Sequence, residues 1–454
     1  MIKEKKVRNF WLEVVLCSTF VFTVLYGIAN ILQLGILDVF DPIGQALGDT
    51  ELTDITFSKL REDPEIDTNI LIINTGLLSS EEVGEQIRNI SRFKPKVIAI
   101  DVFYNCPVGF TDSINCPIAY DTLRERPLGE AIANAGNVVM VTKLLQSDSL
   151  YNKYGGDINI FDSLEHTMDI LRPGAYEGYA NLETDAEHQE DLKSCRRFNP
   201  SVMVNGKEEL AFSVRTAMIF DSVKTKRFLE RNNPVEVINY RGNIIDMHGA
   251  SEYAGRYFTL DWYQALDTNQ FVSGLIKDKI VLMGFLGENF DDTSWDDKFF
   301  TPLNKKFAGK SRPDMYGLVV HANIISMILN EDYITEAPDW IEYAVAFILC
   351  MLNVAVFFYI TEKIPLWFDG LSIIMQLIQI IILSLLMVYF FHWFHIKVNL
   401  TATLGALAVV GTGFELYNSL VKQIWTLYLG KYLDRYLNLL GSLSREISIK
   451  RHKD

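Results

Sequence analysis

Four apolar runs, each about 20 residues or longer, constrain this chain more than any other feature. A helix of about 20 residues spans the hydrocarbon core of a bilayer, where it satisfies its own backbone hydrogen bonds. The runs cover 10–36, 340–360, 371–391 and 400–420. They leave 37–339 as one long, more polar segment. A secretory signal has an apolar region of roughly 7–15 residues followed by a small-residue cleavage site. The first run is longer and shows no convincing Ala-x-Ala site, so it reads as an uncleaved signal anchor.

Charge sets the expected topology. The net charge is −15, yet 1–37 carries +2 and 338–454 carries +1, which leaves −18 on 38–337. An acidic domain of this kind excludes a nucleic-acid binder, which needs a basic face. Lys3, Lys5, Lys6 and Arg8 precede the first run, and 421–454 holds seven Lys/Arg against three Asp/Glu. Four spans put both termini on one side, and positive segments stay inside. The expected layout is therefore a cytoplasmic N-terminus at 1–9, an extracytoplasmic domain at 37–339 and a cytoplasmic tail at 421–454.

Within the polar segment, periodicity indicates α/β structure. ILIINT at 70–75 is a wholly apolar strand candidate, and Ser79-Ser80-Glu81-Glu82 can cap a helix carrying Val83, Ile87 and Ile90 on one face. KVIAIDVFY at 96–104 is a second buried strand, so the three pieces form a strand–helix–strand crossover. A helix at 128–135, strands at 137–145 and 279–285, and a helix bearing Leu318, Ala322, Ile325 and Leu329 continue the pattern. Residues 146–278 look more irregular and are expected to be insertions or an edge extension of the sheet.

The order of these pieces resembles the CHASE domain of the second type, the cyclase- and histidine-kinase-associated sensory extracellular domain. The resemblance runs over about 38–337. It rests on VIAIDVFY, PLGEAIANAGNVVMV at 127–141, YEGYANL at 176–182, VINYRGN at 237–243, KDKIVLMGF at 277–285, DDKFFTP at 296–302 and GLVVHANIISMILNEDYI at 317–334. It implies an extracytoplasmic sensory α/β domain with a mainly parallel central sheet. With it go four transmembrane helices, a short cytoplasmic helical tail and a bacterial inner (cytoplasmic) membrane. In that family a cytoplasmic catalytic domain usually follows the last span. Here only 34 residues do, too few for such a core.

Several residues are candidates for ligand contact or structural switching. Asp101 ends an apolar strand, where open α/β sheets often bind ligands, but a carboxylate there can equally cap a turn. Asp296 and the Thr301-Pro302 pair match family signatures. His321 can act as a pH switch or make one buried hydrogen bond, and Asn323 can serve similarly. Glu288, Asp291, Asp292, Asp296 and Asp297 crowd one loop without EF-hand spacing, so a solvated acidic loop is expected over a Ca²⁺ site. Cys106 and Cys116 allow a short-loop disulfide in an oxidising compartment or stand as free thiols. Glu13 and Glu415 fall at matching depth near the cytoplasmic boundary, either paired or snorkelling to the interface. In the tail, Leu429, Leu433, Tyr436, Leu440, Leu443 and Ile447 repeat at 4, 3, 4, 3 and 4, which fits a coiled-coil seam or a helix lying on the membrane.

No Gly-x-Ser-x-Gly, P-loop or His-Glu-x-x-His pattern occurs, so neither an enzyme, a cofactor nor a metal is expected. The expected function is a membrane-anchored sensor or adaptor, with a structural component of an envelope complex as the alternative. Its expected partners are the lipid bilayer, an effector protein reached through the tail and a second copy of the chain.

Overall fold

The structure is a computed structural model that describes residues 2–32, 51–105, 122–147, 149–150, 153, 161–182, 194–244, 255–290, 292, 294–304, 313–421 and 423. The Cys106–Cys116 segment, Asp291 and the tail residues from Leu429 to Ile447 lie outside the described residues. The chain divides into two units, 1–42 with 336–454 and 43–335.

The first unit is helical. Helix α1 (Ile2–Leu32) contains the apolar stretch Phe10–Ile28, and the stretches Asp339–Lys363 and Pro365–Phe394 are also long and apolar enough to cross a membrane. The fourth apolar run forms a shorter helix, Thr401–Leu416, continued by a π-helical turn, Tyr417–Val421. Val14, Cys17 and Val21 pack with Cys350, Val354, Phe357, Val410 and Phe414 in one core. Small residues permit close approach of helices in such bundles. A Cβ at Gly411 would come 2.4 Å from Gln376 Nε2, and one at Gly413 would come 2.8 Å from Val21 Cγ2.

The second unit is built on an eight-stranded sheet. Its strands are β1 (Asp67–Asn74), β2 (Val97–Asp101), β3 (Val138–Leu145), β4 (Ser163–Glu165), β5 (Ala175–Tyr179), β6 (Asn243–Ile244), β7 (Gly255–Leu260) and β8 (Ile280–Gly284). The order is β6-β7-β1-β8-β2-β3-β4, with β5 also pairing with β3. All these pairings are parallel except β3–β4. Strand β8, last in sequence, inserts between β1 and β2, an arrangement local periodicity does not encode.

Alternation assigns the two faces. Leu71, Ile73, Ile98, Ile100, Val281 and Met283 pack against Val83, Ile87 and Ile90 of helix α2 (Ser80–Ser91) and Leu128 and Ile132 of α3 (Thr122–Ala135). Helix α2 starts where its sequence says: Glu82 N–H donates to Ser79 Oγ at 3.4 Å, and Ser79 N–H donates to Glu82 Oε2 at 2.8 Å.

Helices α4 (Phe212–Phe220) and α6 (Gly317–Asn330) pack together on the opposite face, with the short helix α5 (Ser222–Leu229) beside them. The segment 146–278 thus does more than extend an edge. It supplies one of these covering helices and strands β5, β6 and β7. Every residue from Gly317 to Leu329 is buried, so α6 has no solvated face.

Helix α4 sits so close to β5 that a Cβ at Gly178 would come 2.8 Å from Phe212 Cα and 3.0 Å from its nitrogen. These are backbone atoms, so the helix must move to admit a methyl group. Gly178→Ala should cost about 1–3 kcal/mol of stability, measured by chemical unfolding of the detergent-solubilised protein. An unchanged midpoint would rule out this docking.

Candidate functional site

Parallel strands covered on both faces can release polar side chains only at their ends. At the carboxyl edge, Asn74, Gly284 and Asp101 lie level on three adjacent strands, β1, β8 and β2. Their surroundings differ. Asn74 is buried and fully engaged: its amide donates to Asp261 Oδ1 at 2.8 Å and to the Gly287 carbonyl at 3.1 Å. Its Oδ1 accepts from Gly76 and Leu286 N–H, both at 2.9 Å, so it locks three loops together. Gly284 makes room for α6, because a Cβ there would lie 3.1 Å from Leu318 Cδ2 and 3.2 Å from the Asp101 carbonyl.

Asp101 has no such settlement. Its side chain is 16% exposed, and among the described residues its basic neighbour is His321, with Nε2 4.0 Å from Oδ2, too long for a hydrogen bond. Burial pushes its pKa up to about 8, with the negative charge of Asp297 as the smaller contribution. His321 lies in the second turn of α6 and is 2% exposed, its ring edge-on to Phe212 at 5.2 Å between centroids. Its Nδ1 is buried without a hydrogen-bond partner. Burial pushes the ring down to about 4, a shift the Ala180 backbone only partly opposes.

The third group is Asp297, not the Asp296 singled out by motif. Asp297 adopts a left-handed backbone (φ 56°), and its carbonyl accepts the Gly317 N–H at 2.9 Å. Its carboxyl oxygens lie 3.3 and 3.4 Å from the place a Cβ on Gly317 would occupy. A carboxylate therefore stands at the N-terminus of α6, where the helix dipole favours negative charge, although burial of the carboxyl group pushes its pKa up to about 6. Asp296 is exposed.

The other candidates occupy structural positions. Thr301 N–H donates to Asp314 Oδ1 at 2.9 Å, its hydroxyl donates to Asp314 Oδ2, and Asn304 adds a donor at 3.3 Å. Burial still lifts Asp314 to about 7 against these donors. Pro302 is buried beside Thr301. Asn323 donates to the Gly242 and Val319 carbonyls at 2.9 Å and accepts from Arg241 N–H at 2.9 Å, which clamps the VINYRGN turn onto α6. Asp292 is taken up by its own loop, accepting from Glu288 N–H at 2.9 Å and Ser294 N–H at 2.8 Å. Among the described residues no group of three His, Cys, Asp or Glu side chains is arranged to hold a metal ion.

In the helical unit, Glu415 is exposed and lies within hydrogen-bonding reach of Asp369, while Glu13 is half-buried with Tyr417 nearby. The two acids thus have different neighbours. An acid the hydropathy reading passed over, Glu342, is buried and accepts the Ala402 N–H at 2.6 Å. It satisfies a first-turn amide of helix Thr401–Leu416, which has no side-chain cap of its own.

Sequence reading also missed a set of buried and half-buried arginines in the second unit. Arg196 and Asp54, each 5% exposed, form a two-point pair with distances of 2.7 and 3.3 Å. Arg61 donates to the Tyr240 carbonyl and to Asn239 Oδ1, and stacks on Phe57 at 4.2 Å. Arg241 donates to Asp332 Oδ2 at 2.7 Å through Nε. Only Arg241 carried a signal, through the VINYRGN motif. The partners of Arg61 and Arg196 lie well over 100 positions away in sequence.

The profile of the CHASE2 domain matches residues 41–356, more than half of the chain. The chain therefore belongs to the CHASE2 family, whose domain is a sensory extracellular module and not a catalytic one. The match extends into the first membrane-compatible helix after the sheet. No curated protein and no solved structure shows significant similarity to the chain.

Two outcomes follow. An acid whose folded pKa is raised binds its proton more tightly in the folded state, so stability falls as pH climbs from the unfolded value near 3.9 through about 8. Asp101→Asn should remove that fall. Its melting temperature should match wild type near pH 4 and exceed it progressively up to about pH 8. Parallel melting curves would contradict the environment described for Asp101. Asp54→Ala should cost about 3–5 kcal/mol in chemical unfolding, because it strands the Arg196 guanidinium in the interior. A loss below 1 kcal/mol would show that water reaches the site.

Proposed function

We propose that this protein is a membrane-anchored sensor that detects a stimulus outside the cytoplasmic membrane and relays it through its membrane helices and tail to a separate effector chain. The observation that carries the reading is a CHASE2 sensory domain followed directly by long apolar helices. The site supports it. Asp101, Asp297 and His321 come from a strand end, a loop and the buried helix α6, so a change at the carboxyl edge is felt by the helix. Eight residues separate the end of that helix at Asn330 from the membrane-compatible helix beginning at Asp339.

In this reading the fourth apolar run also spans the membrane. Both termini are cytoplasmic, the membrane is the bacterial inner membrane, and the seam from Leu429 to Ile447 contacts the effector. The test is in-cell crosslinking followed by purification of the full-length protein and of a 425–454 deletion. A cytoplasmic regulator recovered with the full chain and lost with the deletion is the expected result. Recovery of envelope proteins alone, equally with and without the tail, would instead make the protein a structural component of an envelope complex.

A further inference from the structure

We infer that the stimulus read at the carboxyl edge is the proton, with Asp101 as the titrating group and helix α6 as the element that responds. This rests on the sensor reading above and names its input. The argument begins with geometry. Three ionisable side chains from three elements meet where β2 ends and α6 begins: Asp101 on the strand, Asp297 on the loop and His321 on the helix. Two are acids. The third is a buried ring whose Nε2 faces Asp101 at 4.0 Å and whose Nδ1 has no partner.

Among the described residues no cation settles Asp101. His321 stays neutral above about pH 4 because burial opposes its charge. The surrounding charged groups are committed elsewhere. Lys298 sits over the Tyr316 ring at 4.6 Å, and Arg215 of α4 donates to the Glu177 carbonyl at 3.0 Å. Lys143 of β3 is exposed, and Asp314 is bonded to Thr301 and Asn304. The adjacent strand β8 carries no ionisable side chain, and β1 presents the neutral Asn74 at its end.

Between about pH 6 and pH 8 Asp101 is protonated, a neutral group beside a neutral ring, and the Asp297 carboxylate alone stands at the helix N-terminus. Ionised, Asp101 sets a second negative charge near Asp297 in a poorly solvated place. Two movements relieve this. The His321 ring can close by about 1 Å to hydrogen-bond distance, its one N–H turning from the Ala180 backbone to the carboxylate. Alternatively, the Asp297 side chain can swing into water, away from Gly317 at the start of α6. Either movement acts on the first turns of α6, which is buried along its length and so cannot shift without its neighbours. The far end of the same helix leads into Asp332, held by Arg241, and the Ile334 carbonyl, held by Arg231.

The test uses the full chain in lipid nanodiscs. Hydrogen–deuterium exchange of peptides covering 313–330 is followed against pH and corrected for the intrinsic pH dependence of exchange. Wild type should change protection in a transition with a midpoint near pH 8, above any change near pH 6 from Asp297. Asp101→Asn should lose the transition near pH 8. Asp297→Asn, at an exposed position that tolerates substitution, should keep the transition and move its midpoint downward, because a repelling charge is gone. A wild-type profile flat around pH 8, or a transition near pH 8 that survives in Asp101→Asn, overturns the proposal. Asp297→Asn also guards against the other variant failing to fold, since an unmoved midpoint overturns it as well. The relay is scored separately. A normal transition with tail-independent crosslinking leaves the proton site standing and refutes the relay.

Discussion

Burial of a parallel sheet on both faces is the constraint on which the soluble unit depends. Strands β1, β2 and β8 are apolar through their centres because α2 and α3 cover one side and α4 and α6 cover the other. Such strands have no wet face, so chemistry is confined to their ends. That is why Asn74, Gly284 and Asp101 matter together: they are the last residues of three neighbouring strands. One locks loops, one admits a helix, and one carries an unsettled charge.

Partner count separates the structural acids from the responsive one. Asp314 and Asp101 are both pushed upward by burial, but Asp314 receives hydrogen bonds from Thr301 and Asn304 that oppose the shift. A carboxylate satisfied by donors holds its loop at little cost. Asp101 has no comparable donors, and its one basic neighbour is a ring that burial keeps neutral. Asn323, though only two positions from His321, has its hydrogen-bonding capacity absorbed by the turn at 241–242 and by the Val319 carbonyl. Neighbouring residues on one helix thus divide between holding the fold and facing the site.

Burial of ionic and polar groups recurs where elements far apart in sequence are joined. Arg196 with Asp54, and Arg61 with Asn239 and Tyr240, fasten the first segment of the soluble unit to a segment more than 100 residues later. A buried pair contributes little net stability against an apolar replacement, but breaking it is costly, so it enforces one arrangement. In the helical unit Glu342 caps a helix start, and Gly411 lets Gln376 approach another helix closely. Both are polar contacts inside a bundle whose core is mainly apolar.

Local pattern alone determined a good deal of this protein. The long apolar runs, the strand cores around Ile72, Ile98 and Leu282, the Ser79–Glu82 cap and the buried helix at 317–330 were all legible, because each depends on residues within a few positions of one another. The ordered motifs sufficed to indicate the family that the profile match then established. Tertiary structure alone decided that β8 lies between β1 and β2, that the irregular-looking middle supplies a covering helix, and that Asp297 rather than Asp296 stands at the start of α6. It also decided that Asp101 meets His321, a residue 220 positions away. Pairings of that span are settled by how the two covering layers close on the sheet, and no local spacing records them.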